Sequence, residues 1–154
     1  MPHYPVRLFP PPAIFLACIA AGALAQRFRP WLIAPYSFQR GLVFNAVAVL
    51  PALFIAGWAM IELRRHHTTI EPGHTPAHLV TSGPFRFTRN PLYLALLLIS
   101  LGTALAVNSI WLLLTSVLLF VLLDRLVVVR EERTIDEAFG DGYRSYVKRV
   151  RRWL

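Results

Sequence analysis

The sequence predicts an all-α polytopic membrane protein with about four transmembrane helices, a polar loop between the second and third, and a C-terminal amphipathic interfacial helix. Three observations predict it. Of the 154 residues 56% are hydrophobic, and the mean hydropathy of +0.51 is too high for an ordinary soluble domain. The apolar residues fall in runs close to the roughly 20 residues that a helix needs to cross hydrocarbon. The arginines behind a net charge of +8 sit in short segments between and after those runs. That distribution suits anchoring to an anionic inner leaflet, and nucleic-acid binding is not expected.

The first run, near Leu8 to Ala25, is the weakest: Pro10, Pro11 and Pro12 interrupt its start, and Gln26-Arg27-Phe28-Arg29-Pro30 ends it abruptly. Its full crossing of the bilayer is left open. The prolines also argue against a secretory cleavage pattern. The second run, Gly41 to Leu63, lies between Arg40 and Arg64-Arg65, with Pro51 expected to kink it. Leu92 to Val107 and Ile110 to Arg130 form a tight hairpin about an uncharged Asn108-Ser109 turn. The fourth helix continues past Glu131 to Phe139, with Gly140 as its stop signal. From Asp141 to Leu154, helical spacing gathers Tyr143, Tyr146, Val147, Val150, Trp153 and Leu154 on one face. The chain reads as one domain: residues 1–65 as N-terminal helices, 66–91 as a loop and 92–154 as the hairpin with its C-terminal region. Cys18, the single cysteine, cannot form an internal disulfide.

Lys and Arg are retained on the cytoplasmic side, so the Arg64 to Pro91 loop and the segment after Leu123 are expected inside and the uncharged Asn108-Ser109 turn outside. Arg27, Arg29 and Arg40 run against that pattern. Either the first run stops short or those side chains snorkel.

Two polar clusters then arrive at one membrane face. Arg89-Asn90-Pro91-Leu92-Tyr93 opens the third helix, with Pro91 suited to the first helical position and Asn90 to the cap. The N–H groups of a helix start, reinforced by Arg89, attract a carboxylate or phosphate, and Tyr93 adds a ring and a hydroxyl. An ordinary charged flank with a cap explains the same residues. Arg130-Glu131-Glu132 closes the fourth helix, and adjacent glutamates point about 100° apart, so one is expected to face a pocket and the other solvent. Asp124-Arg125, about a turn inside that helix end, reads equally as an internal pair or a substrate contact. His74 and His78 have a metal-like spacing, but Pro76 interrupts it and the five histidines are too few, so no metal is expected. Nucleophile, Walker and dinucleotide motifs are absent.

The ordered set Leu79-Val80-Thr81-Ser82-Gly83-Pro84-Phe85, Arg89-Asn90-Pro91-Leu92-Tyr93, Glu131-Glu132 and Phe139-Gly140-Asp141-Gly142-Tyr143 resembles the isoprenylcysteine carboxyl methyltransferase family, small integral membrane enzymes related to phospholipid methyltransferases, over roughly His78 to Trp153. The resemblance implies S-adenosylmethionine as cofactor. It puts Ala77, His78, Leu79 and Val80 at the adenine with Phe85 nearby, Asn90, Pro91, Leu92 and Tyr93 around the methionine portion and ribose, and Glu131 as the acidic contact. Arg89 and Tyr93 become the catalytic candidates. Asn90 stands where the eukaryotic enzymes have histidine, and Val127 where they carry an arginine for the substrate, which leaves Arg125 or Arg130 for that role. The implied activity is methyl transfer to a carboxylate, amine or thiol of a hydrophobic or lipid-like acceptor. The competing readings are an NADPH-dependent sterol-type reductase and a non-catalytic module that binds acidic lipid or a partner.

Overall fold

The computed structural model describes residues 10–35, 38–68 and 78–154. The helices are α1 (Pro11–Phe28), α2 (Phe38–Arg65), α3 (Pro91–Ala106), α4 (Ile110–Leu122), α5 (Val129–Phe139) and α6 (Asp141–Val147). A π-helical segment, Leu123–Val128, joins α4 to α5 without a break, so Ile110–Phe139 is one rod of 30 residues. It is long and apolar enough to span a bilayer, as are α1 and Gly41–Arg65, and the shorter α3 is the fourth apolar helix. The described residues thus form an all-α membrane fold of the expected helix number. The first run is a continuous helix, and Pro51 lies inside α2 without ending it.

α3 packs mainly on α2, α1 packs on α4, and α3 pairs with α4, giving a lateral order of α2, α3, α4, α1. Helices in lipid gain little from apolar burial against one another, so small residues that let backbones approach carry the packing. Gly102 fits this rule, since a Cβ there would stand 2.6 Å from the Ala48 side chain. Ser100 and Ser116 share a buried 2.6 Å hydrogen bond between α3 and α4. Toward one end of the bundle, Cys18, Leu119, Leu123 and Val127 form a buried cluster backed by Ile14, Tyr93 and Leu97. Leu50, Leu53 and Phe54 of α2 and Val117 and Val121 of α4 face outward, as lipid-facing side chains do.

The hairpin turn is built from local chemistry. Asn108 takes the left-handed conformation at φ 57°, which asparagine tolerates better than most residues, and the Ser109 hydroxyl caps α4 by accepting from Leu112 N. Gly140 ends α5 at φ 48°, as expected of a stop signal. The segment after it departs from expectation: α6 covers only Asp141–Val147, and the chain from Lys148 leaves the helix. Tyr143, Tyr146 and Val150 still share a face, packed on Leu79, Ile135 and Phe139, but Val147 and Leu154 are exposed. From there the chain runs back to the segment that leads into α3, where the carbonyls of Arg151 and Arg152, which a helix ending at 154 would leave without partners, accept from Arg89 N, Thr88 Oγ1 and Asn90 Nδ2.

Candidate functional site

α3 has 16 residues and so rises about 24 Å, less than the roughly 30 Å of hydrocarbon, whereas the α4–α5 rod runs well past that thickness. The start of α3 therefore stops short of the end of the rod, and the step this leaves beside α5 is the recess that holds the candidate site. The segment from His78 to Asn90 leads into the start of α3 and is fastened on two sides. Toward α2, the Ser82 hydroxyl donates to the buried Glu62 carboxylate, close to Gly83, whose φ of 58° and closeness to Glu62 and Trp58 both favour glycine. Toward α6, the Tyr146 hydroxyl donates to the Phe85 carbonyl at 2.6 Å. Burial pushes the phenols of Tyr143 and Tyr146 above the usual tyrosine range, so both stay neutral.

Tyr93, on the first turn of α3, donates to Glu131 Oε1 of α5 at 2.7 Å across 38 residues of sequence. Beside this contact, Arg89 Nη1 lies 3.2 Å from Glu132 Oε1 and 3.3 Å from the Tyr143 hydroxyl. Arg89 Nε is buried with no hydrogen-bond partner among the described residues. The two clusters singled out in the sequence thus meet at one end of the bundle.

Both adjacent glutamates face inward, which corrects the expectation that one would point to solvent. Glu132 is gripped by Arg152, with Nη2 at 2.6 Å from Oε2 and Nε at 3.1 Å from Oε1. These bonds to Glu132 raise the Arg152 guanidinium above its ordinary pKa. Arg152 Nη1 also reaches Asp124 at 3.2 Å, and Trp153 Nε1 donates to the same oxygen at 3.0 Å. On an ideal α-helix Asp124 and Glu132 would lie about 80° apart around the axis. The wider π turn between them underwinds the rod and lets one guanidinium touch both. Asp124 is chiefly a structural partner of Arg152 and Trp153, with Arg125 a weaker neighbour at 3.6 Å.

Asn90 occupies the cap position but its side chain does not cap; its Nδ2 donates to the Arg152 carbonyl at 3.0 Å instead. Pro91 is buried at the first helical position, followed by the half-buried Leu92. Val80 is buried, Leu79 packs on the Tyr143–Tyr146 cluster, and His78 is exposed. Ala77 and His74 lie outside the described residues. Arg125 and Arg130 are exposed, and among the described residues neither side chain makes a hydrogen bond or ion pair with Tyr93 or Glu131. Arg152 was missed as a site residue because helical periodicity puts it off the apolar face of the C-terminal segment, and the choice between Glu131 and Glu132 was left open; only contacts far apart in sequence bring Arg152 and Glu132 together.

The matched family decides what this arrangement belongs to. The phospholipid methyltransferase family model covers residues 41–142, more than half of the chain. The chain belongs to that family. Its members are integral membrane methyltransferases related to the isoprenylcysteine carboxyl methyltransferases, so the protein is a membrane methyltransferase rather than a sterol-type reductase. A relative from Haemophilus influenzae (strain ATCC 51907 / DSM 11121 / KW20 / Rd), described as an uncharacterized protein, is 44% identical over 66 residues, which is 41% of this chain and 100% of the relative. No solved structure matches. The matched region contains Arg89, Tyr93, Glu131 and Glu132 but not Arg152.

Proposed function

We propose that this membrane methyltransferase takes S-adenosylmethionine as methyl donor and methylates a carboxylate, amine or thiol of a hydrophobic or lipid-like acceptor at the cytoplasmic face. The Tyr93–Glu131 contact carries the reading, because it joins the two motif-bearing helices at one recess. The residues there suit the donor's functional groups. The orphaned Arg89 Nε and the N–H groups opening α3 suit a carboxylate, and Glu131 suits an ammonium or ribose hydroxyls. The resemblance puts adenine at His78, Leu79, Val80 and Phe85 and the methionine portion and ribose at Asn90, Pro91 and Leu92, where α3 begins.

The donor supplies an already activated methyl group. The protein's work is then placement: Arg89 and Tyr93 orient the bound molecule, and the apolar walls exclude water while an acceptor atom is held behind the methyl at about 3 to 3.5 Å. An ionised carboxylate or thiolate needs no general base, which is compatible with Asn90, a side chain that cannot titrate. The lipid-like acceptor enters from between the helices and the donor from water. Cytoplasmic placement of the recess is supported by charge. Among the described residues only Arg27, Arg29 and Arg40 lie at the far end, and the remaining Lys and Arg lie at the recess end.

Purified full-length protein incubated with methyl-labelled S-adenosylmethionine and membrane lipid extract, prenylcysteine analogues or small apolar thiols is expected to label one acceptor class. A base-labile volatile label identifies a methyl ester, and stable label in a lipid amine identifies N-methylation. Absence of transfer to every class, with no saturable donor binding by folded protein, contradicts the proposal.

A further inference from the structure

We propose that the segment 148–154 is a strap that completes the donor site, and that Arg152 is a positioning residue for Glu132 and for the start of α3. The inference rests on the function proposed above and goes beyond it, since Arg152 lies outside the family match. The strap bridges the two halves of the recess. On the rod side, the Arg152 fork takes both oxygens of Glu132 and one oxygen of Asp124, and Trp153 adds a bond to Asp124 and packs on Phe120 at a ring separation of 5.2 Å. On the α3 side, the Arg152 carbonyl accepts from Thr88 Oγ1 at 3.1 Å and from Asn90 Nδ2 at 3.0 Å, and the Arg151 carbonyl accepts from Arg89 N at 3.1 Å.

One residue therefore fixes Glu132 through its side chain and Asn90 through its backbone. Without the guanidinium, Arg89 is left as the described partner of Glu132 and is drawn toward it, away from the position in which its buried Nε lacks a partner. A planar fork can serve two carboxylates at once, whereas the point charge of lysine satisfies one at a time.

The test uses full-length protein in detergent as wild type, Arg152→Gln, Arg152→Lys and Trp153→Phe. Calorimetric titration with S-adenosylmethionine gives both the dissociation constant and the fraction of competent protein, and hydrogen exchange follows the amides from Thr88 to Tyr93. Arg152→Gln is expected to weaken donor binding at least about tenfold at unchanged stoichiometry and to speed exchange at those amides. Arg152→Lys recovers part of the loss, and Trp153→Phe weakens binding by roughly threefold. A lowered stoichiometry with an unchanged dissociation constant would mark a merely structural role and overturn the proposal, as would unchanged binding in Arg152→Gln. Should Arg152→Gln fail to fold, unchanged binding and exchange in both Arg152→Lys and Trp153→Phe overturns it. Wild-type protein that binds no donor sinks the proposed function together with the strap, whereas wild-type binding that Arg152→Gln leaves intact sinks the strap alone.

Discussion

The two ends of the helix bundle solve the same problem with different chemistry. At the far end, connector and hairpin turn are tied by neutral groups. Asn108 exchanges bonds with the Ala34 backbone at 3.1 and 2.6 Å, Gln26 accepts from Ser109 at 2.8 Å, and Trp111 donates to the Arg29 carbonyl at 2.7 Å. The recess end is closed by Arg89, Arg152, Asp124, Glu131 and Glu132 with two buried tyrosines. Neutral bonds suffice to satisfy helix ends, and gathering charges beside apolar surface is costly. The charges at one end are therefore better explained by a polar ligand than by stability. Cavity size alone misleads, since an open depression of about 430 Å³ lies at the far end between Arg29, Pro30, Trp31 and Trp111. Twenty residues of helix, about 30 Å, separate Trp111 from Glu131.

The contrast predicts that recess variants damage chemistry and far-end variants damage stability. Arg89→Ala has the largest expected effect. It strips a charge partner from Glu132 and the anion contact from the recess, so methyl transfer should fall by about 100-fold, corresponding to roughly 3 kcal/mol, in protein that remains helical by circular dichroism. Next, Tyr93→Phe removes one hydrogen bond to a carboxylate and should weaken donor affinity about tenfold or more, or roughly 1.5 to 3 kcal/mol, by calorimetry. Equal losses from Arg125→Ala or Arg130→Ala would erase the distinction between lining and exposed arginines.

Much of this contrast was legible in the sequence, and its limits are physical. Pro91, the Asn108-Ser109 turn and Gly140 bound their helices as expected because each signal acts within a few residues. The pairing of Tyr93 with Glu131 was accessible by reasoning that a hairpin returns both clusters to one face. That both adjacent glutamates face inward was not legible, because an α-helical count sees only the roughly 100° between neighbours, whereas Glu131 is held by Tyr93 and Glu132 by Arg152 and Arg89, all far away in sequence. The strap was hidden for another reason: residues 141–154 have good helical periodicity, and the bonds that Arg89 N, Thr88 Oγ1 and Asn90 Nδ2 donate to the Arg151 and Arg152 carbonyls come from residues far away in sequence.

Two smaller predictions probe stability. Asn108→Ala loses both bonds to Ala34 and forces alanine into positive φ, so thermal unfolding in detergent should register about 1 to 3 kcal/mol of destabilisation while activity per folded molecule is unchanged. A loss of donor affinity in this variant would tie the two ends together and break the contrast. Arg144→Ala, whose side chain is 64% exposed beside Asp136 and Asp141, should change stability by about 0 to 1 kcal/mol in the same assay and leave turnover alone.

A double-mutant cycle on Tyr93→Phe and Glu131→Gln, read as S-adenosylmethionine affinity by calorimetry of the full-length protein, tests most directly whether the two helices hold the methyl donor together. Each single change is predicted to weaken binding, with the double variant little worse than the weaker single one. Donor affinity unchanged in both singles, or losses that simply add, would contradict a shared site.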